Sequence, residues 1–140
     1  MDIEQTKAEI KKEEGFRMET YHCTEGHLTG GFGHKMLEGE EVPTDMAGWN
    51  KLFERDFARA VSGSEELLMI SPNVHDTARH IVVEMCYQMG SYGVSKFQGM
   101  LSALQDSDYV TASKEMLDSR WAVQTPNRAK RMAERMGNIS

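Results

Sequence analysis

From Met46 onward, apolar side chains return every three or four residues, whereas between Arg17 and Phe32 they alternate with polar ones. The first spacing lines one face of an α-helix and the second one face of a β-strand. The pattern therefore predicts a mostly helical chain with one short β segment near its start. A first helix is predicted from Asp2, which can cap it with Gln5 completing a capping box, to Glu14, where Gly15 offers a left-handed stop. Ile3, Ala8 and Ile10 give it a thin apolar stripe. The alternating segment is broken at Thr24-Glu25-Gly26, a turn-like triplet, and reads as a small hairpin. Gly30, Gly31 and Gly33 then leave the backbone bare, which allows close approach of another backbone or a ligand.

A polar loop from Lys35 to Pro43 leads to Thr44 and Asp45, which open a helix carrying Met46, Trp49, Phe53, Phe57 and Ala60/Val61 as far as about Gly63. Its length suits a spine joining a small β-containing lobe to the C-terminal half of the chain. Leu67 to Ile70 is a short apolar run ended by Ser71-Pro72. Asn73 can cap the next helix, whose wide face of Val74, Ala78, Ile81, Val82, Met85 and Met89 stops at Gly90 and calls for neighbours on more than one side. Val94, Phe97, Leu101 and Leu104 predict another helix, and Val110, Ser113, Met116 and Leu117 a third. Thr125-Pro126 starts the last one, with Ala129, Met132, Ala133 and Met136 as its buried edge before Gly137. The C-terminal half is thus an all-helical lobe, without internal repeats or low-complexity segments.

Length narrows this picture: 140 residues suffice for one core, or for two small lobes sharing a helix, and not for two independent domains. A formal net charge of −6 argues against a general nucleic-acid or anionic-membrane binder, which needs a Lys/Arg surplus to displace counterions. The one basic cluster, Arg120, Arg128, Lys130, Arg131 and Arg135, reads as a helix whose positive charges complement its own negative end. Cys23 and Cys86 are too few for a disulfide framework, so reduced, cytoplasmic synthesis is the default. Met1 to Gln5 shows neither a basic nor an apolar run, and no stretch approaches ~18 apolar residues, so no signal peptide and no membrane span are expected.

The candidate chemistry lies between Glu14 and His34. A carboxyl at a helix C-terminus faces the negative end of the dipole, worth roughly 0.3–1 kcal/mol against its ionised form. That raises the pKa by under about one unit. Glu13 pushes the same way, and an arginine packed against Glu14 would pull the other way; composition alone favours a solvated glutamate. Cys23, flanked by His22 and followed by His27 and His34, admits three roles: nucleophile, metal ligand or small apolar filler. The Cys/His spacing does not match the paired spacing of structural zinc sites, so no metal is expected. A nucleophile needs a base oriented by a third group, and spacing names no such base. Thr29, taken alone, is a β-favouring strand residue, and Tyr87, Phe97 and Trp121 read as core.

Taken together, Glu14, eight residues, Cys23, five residues and Thr29 resemble the signature of the phage-type, T4 lysozyme-like muramidases, in which Asp or Cys occupies the middle position. The likeness continues through Glu13-Glu14-Gly15-x-Arg17, Tyr21, Thr24-Glu25-Gly26 and Thr29-x-Gly31-x-Gly33-His34. It resumes at Gln88-Met89-Gly90, Gly93-Val94, Phe97 and Ser119-Arg120-Trp121-x-x-Gln124-Thr125-Pro126-Asn127-Arg128-Ala129-Lys130-Arg131. The resemblance implies an α+β, lysozyme-like fold in a single domain. A β-hairpin lobe (about 15–43) and an all-helical lobe (about 64–140 with the N-terminal helix) would be joined by a long helix (about 44–63), with the active-site cleft between them.

It also implies hydrolysis of the β-1,4 bond between N-acetylmuramic acid and N-acetylglucosamine in peptidoglycan, with Glu14 as a general acid of raised pKa. Cys23 stands where Asp is commoner and would activate water in an inverting reaction, with Thr29 placing that water. Arg128 would lie against Glu14, and His34 would pair with Asp56. Glu25, Lys35, Tyr87 and Gln88 fall at cleft positions and are the expected substrate contacts together with Arg128. No cofactor or metal is implied, and the partners are peptidoglycan glycan strands, with no nucleic acid, no stable membrane insertion and a monomeric state. An endolysin of this kind would stay in the host cytoplasm until a holin-type lesion released it to the wall. The alternatives are a catalytically impaired, lysozyme-like glycan-binding protein and a cysteine-nucleophile hydrolase of amide or ester bonds. Against longer members, the short loop after His34 suggests a smaller first lobe, and the end soon after Gly137 leaves out a terminal apolar segment. The acidic balance predicts weak attraction to an anionic wall and activity that falls at low salt.

Overall fold

The computed structural model describes residues 1–140. Asp2 caps α1 (Ile3–Glu14) as its sequence predicts, its carboxylate accepting the Gln5 N–H at 3.0 Å, and Gly15 closes the helix at φ 69°. The apolar stripe is thinner than expected, because Thr6 and Ile10 are buried while Ile3 and Ala8 face solvent. Ion pairs supplement so narrow a stripe at the C-terminal end of α1: Arg131 grips Glu13 with both Nε and Nη2, and Arg128 reaches Glu14.

The hairpin comprises β1 (Arg17–His22) and β2 (Leu28–Gly31), antiparallel, with Tyr21 opposite Thr29 and His22 opposite Leu28. A third strand, β3 (His34–Lys35), extends the sheet in the order β1-β2-β3. Two residues are too few to show alternation, which is why the sequence pattern did not reveal it.

Asp45 caps α2 (Met46–Leu67), accepting the Gly48 N–H at 2.9 Å. Trp49, Leu52, Phe53, Phe57 and Ala60 are buried and Met46 is exposed. The helix runs past the expected end at Gly63 because this glycine packs against α3 (Asp76–Ser95): a Cβ there would lie 2.6 Å from Ser91 Cβ. Of the apolar run that comes next, Leu68 is buried, but Met69 and Ile70 face solvent.

His75, not Asn73, caps α3, its Nδ1 accepting the Thr77 N–H at 3.0 Å. Gly90 is a kink at φ 81°, beyond which the helix resumes to Ser95. The apolar set Val94, Phe97, Leu101 and Leu104 therefore runs from the end of α3 through α4 (Gln98–Gln105), instead of lying on one helix. In α5 (Tyr109–Leu117) the buried face is Tyr109, Ala112 and Met116, whereas Val110 and Leu117 are exposed. The five-residue α6 (Arg120–Gln124) was not expected; α7 (Pro126–Gly137) has the predicted start and buried edge.

The core gathers α2, α3, α4, α5 and α7 around Ile81, Met85, Met100, Leu104, Met116 and Met136. The basic cluster is not paired with its own helix end: Arg128, Arg131 and Arg135 reach carboxylates on α1 and α3, and Arg135 bonds the buried Glu84 at 2.9 Å. The architecture is α+β and lysozyme-like, with a small sheet on one side of α2 and helices on the other. No helix is long and apolar enough to cross a membrane.

Candidate active site

Glu14 is the last residue of α1, and its side chain is only 13% exposed. Its Oε2 accepts a hydrogen bond from Arg128 Nη1 at 2.9 Å, across 114 residues of sequence. Its Oε1 lies against the β2–β3 turn, where a Cβ on Gly33 would approach it to 2.7 Å. Arg128 comes from the first turn of α7 and its side chain is only 10% exposed; its Nε and Nη2 are buried without a hydrogen-bond acceptor. One arginine thus holds Oε2, and the absence of a side chain at Gly33 leaves room for Oε1. The neighbouring glycines admit this chain's own side chain instead of a ligand, since a Cβ on Gly30 or Gly31 would fall 2.3 or 2.5 Å from the Trp49 ring. Trp49 is held there by its Nε1 donating to Met18 O at 2.9 Å.

Cys23 follows β1 directly, in a turn closed by Cys23 N–H to His27 O (2.9 Å) and Gly26 N–H to Cys23 O (2.8 Å). Desolvation alone would raise the thiol pKa, but backbone N–H groups at Glu25 and His27, the Thr29 hydroxyl and the Lys35 charge together hold it below the ordinary value. Thr29 is buried and donates to His27 O at 2.9 Å. The same hydroxyl also contributes to holding the Cys23 thiol pKa down.

His34 pairs with Asp56, as the resemblance implies, and also with a second carboxylate that sequence reasoning missed: Nδ1 meets Asp56 Oδ2 at 2.5 Å and Nε2 meets Glu40 Oε1 at 2.7 Å. Arg55 closes the group on Glu40 Oε2 at 2.7 Å. The bond to Asp56 raises the His34 pKa most, burial opposes it, and Glu40 adds to the rise. Burial would raise Glu40, yet His34, the Leu37 N–H and Arg55 bring it down to about 2.

Two cavities flank this constellation. The larger, about 980 Å³, opens between Glu25 and Lys35 on the sheet side and Gln88, Lys96, Arg120 and Trp121 on the helical side. The smaller, about 320 Å³, is lined by Gly33, His34, Lys35, Tyr87 and Gln88 among others. Lys35, Gln88 and Met89 border both and form the saddle between them. Of the expected substrate contacts, Lys35 and Gln88 line both cavities, Glu25 the larger only and Tyr87 the smaller only. Glu14, Cys23, Thr29 and Arg128 line neither, although Gly33 and Thr24, against or beside them, do. Trp121, read as core, is buried but reaches the larger cavity and donates to Gln88 Oε1 at 2.9 Å. Lys96, Glu115 and Asp118 also line it, and no spacing in the sequence had marked them. No three His, Cys, Asp or Glu side chains converge to hold a metal ion.

The phage lysozyme family model matches residues 11–136. The chain belongs to the phage lysozyme family. Probable T4-type lysozyme 2 of Dictyostelium discoideum is 30% identical over 93% of this chain and 92% of its own length. The pre-baseplate central spike protein Gp5 of Enterobacteria phage T4 is 29% identical over 88% of this chain and 26% of its own length. Peptidoglycan hydrolase gp36 of Pseudomonas phage phiKMV is 25% identical over 96% of this chain and 15% of its own length. As a phage lysozyme, the protein is a hydrolase of lysozyme type, and its substrate is peptidoglycan.

Proposed function

We propose that the enzyme cleaves the β-1,4 bond between N-acetylmuramic acid and N-acetylglucosamine, with Glu14 as the general acid that protonates the leaving oxygen. The observation that carries this reading is the placement of the Glu14 carboxyl, bonded through one oxygen to Arg128 at 2.9 Å and facing with the other Gly33, a residue that borders the smaller cavity. An acid catalyst must be held within hydrogen-bond reach, directly or through one water, of the oxygen it protonates. Cys23, whose thiol is held below its ordinary pKa, activates water on the opposite face, and Thr29 helps place that water. Glu25, Lys35 and Gln88 contact the glycan along the saddle and the larger cavity. The biological role is lysis of the host from within, the protein staying in the cytoplasm until a holin-type lesion admits it to the wall.

Clearing of chloroform-treated Gram-negative cells, followed by turbidity, tests the assignment. Glu14→Gln loses activity by about 10²–10⁴-fold. Cys23→Asp keeps most of it and Cys23→Ser loses most of it. Full clearing by Glu14→Gln removes Glu14 from the acid role. Anomeric NMR on a defined oligosaccharide shows the inverted α product first; a retained β product overturns water activation by Cys23.

A further inference from the structure

Tyr87 lies on α3 before the Gly90 kink, and its hydroxyl donates to Phe32 O at 2.6 Å, 55 residues away in sequence. Phe32 and Gly33 are the two-residue turn between β2 and β3, and Gly33 is the residue whose missing Cβ leaves room for Glu14 Oε1, since a Cβ there would fall 2.7 Å from it. The same turn is gripped from its other side by Lys11, three residues before Glu14 on α1, whose Nζ stands 5.0 Å from the Phe32 ring centroid and 4.7 Å from that of Phe53. Tyr87 packs its own ring on Phe53 at 5.6 Å between centroids. Burial, with Asp56 and Glu14 nearby, holds the phenol far from ionisation, so the hydroxyl stays a donor at any working pH.

We infer that Tyr87 is a positioning residue for the acid: it acts through the Phe32–Gly33 turn to set where Glu14 Oε1 stands, instead of through contact with the glycan. The inference rests on Glu14 being the acid. A phenol has one hydrogen to donate, and Phe32 O holds it. With that bond removed, the turn keeps its aromatic contacts and loses the one fixed polar tie from the helical side. Gly33 is then free to shift against Glu14, and small displacements of a reacting group are costly in rate.

The test is Tyr87→Phe in the full chain, assayed on soluble peptidoglycan fragments of defined glycan length, beside Gly33→Ala and Glu14→Gln, with 13C NMR of the Glu14 carboxyl carbon at one pH. The expected result for Tyr87→Phe is a kcat lowered roughly ten- to hundredfold with KM within about twofold of wild type. Its Tm falls only about 2–4 °C, and the Glu14 carboxyl signal moves. Gly33→Ala lowers kcat in the same way, and the double variant loses less than the product of the two, because both act on one contact. A raised KM with unchanged kcat shows that Tyr87 touches substrate and overturns the inference, as does an unchanged pair of constants. If Glu14→Gln stays active, the acid assignment fails by itself. The carboxyl signal then decides alone: moved by Tyr87→Phe it supports positioning, and unmoved it overturns it.

Discussion

Met85, Met100, Met116, Met132 and Met136 lie at 2% exposure or less in the helical lobe, alongside Ile81, Leu104 and Ala129. The sheet, by contrast, buries Thr29, Gly30, Gly31 and His34 and presents Met18 and Leu28 to solvent. The first region coheres through apolar area shared among many flexible side chains, which is non-directional and indifferent to protons. The second is held by a few directed contacts: the Trp49 ring on bare glycines, His34 between Asp56 and Glu40, and Tyr87 on Phe32 O. Each of those contacts has a geometry that one substitution removes. Glu14 stands where the two regions meet, tied to the helices by Arg128 and facing Gly33 on the sheet side. The placement of Glu14 therefore depends on both constructions keeping their shape.

The contrast is sharpened most by Met116→Ala in the helical lobe. Removing a fully buried methionine costs about 3–4 kcal/mol, which corresponds to a fall in Tm on the order of 10 °C. Urea unfolding should give nearly the same loss at pH 5.5 and pH 8.5, since no titrating group takes part. A loss that changes strongly with pH would mean that the methionine core is coupled to the buried His80–Glu84–Arg135 group, and the division between lobes would break down.

His34→Ala makes the complementary case, with an expected loss of about 3 kcal/mol, because it leaves Asp56 and Glu40 largely buried without their shared cation. Here the loss depends on pH. His34 titrates above the ordinary 6.5 in the folded state, so its contribution is complete below 6.5 and disappears as pH rises through the raised folded value. Glu40 is lowered from 4.5 to about 2, so its contribution is present above 4.5 and disappears as pH falls toward 2. The stability gap between wild type and variant is thus widest between 4.5 and 6.5 and narrows on both sides. A gap that stays flat from pH 3 to pH 9 would falsify the charged reading of this cluster.

The same division explains which features were legible in the sequence. α2 and α7 were legible because long apolar periods, the Asp45 cap and Pro126 agree with one another. Gly63 and Gly90 both look like helix stops, but one is a close contact with Ser91 and the other a kink; only the neighbouring chain distinguishes these uses of glycine. β3 and α6 are too short to carry a period. At the site, Glu14 and Arg128 were brought together only by the family resemblance, since no local pattern links residues 114 positions apart. The bare run from Gly30 to Gly33 announced that something approaches closely, without saying that Trp49 and Glu14 are what approaches. Glu40 left no mark, because its role comes from His34 and Arg55 meeting it in space. Side chains that act through a single directed contact are the ones a one-dimensional pattern hides.

The two thiols offer the gentlest probe, because alkylating them under native conditions need not unfold anything. Cys86 lies in the helical core, where burial pushes its pKa up to about 12, so thiolate is scarce and access is poor. Cys23 is only half-buried in the sheet-side turn, and its hydrogen-bond donors and Lys35 keep its thiol below the ordinary 9.0. Alkylation follows the thiolate fraction, so iodoacetamide should add one label to the native protein, at Cys23, with a rate that rises with pH and reaches half its maximum below 9.0. The second label should appear only on unfolding, and Met116→Ala should hasten it. Labelling of both cysteines at equal rates in the native state would show that the helical lobe opens as readily as the sheet, and the two lobes would then differ in composition without differing in cohesion.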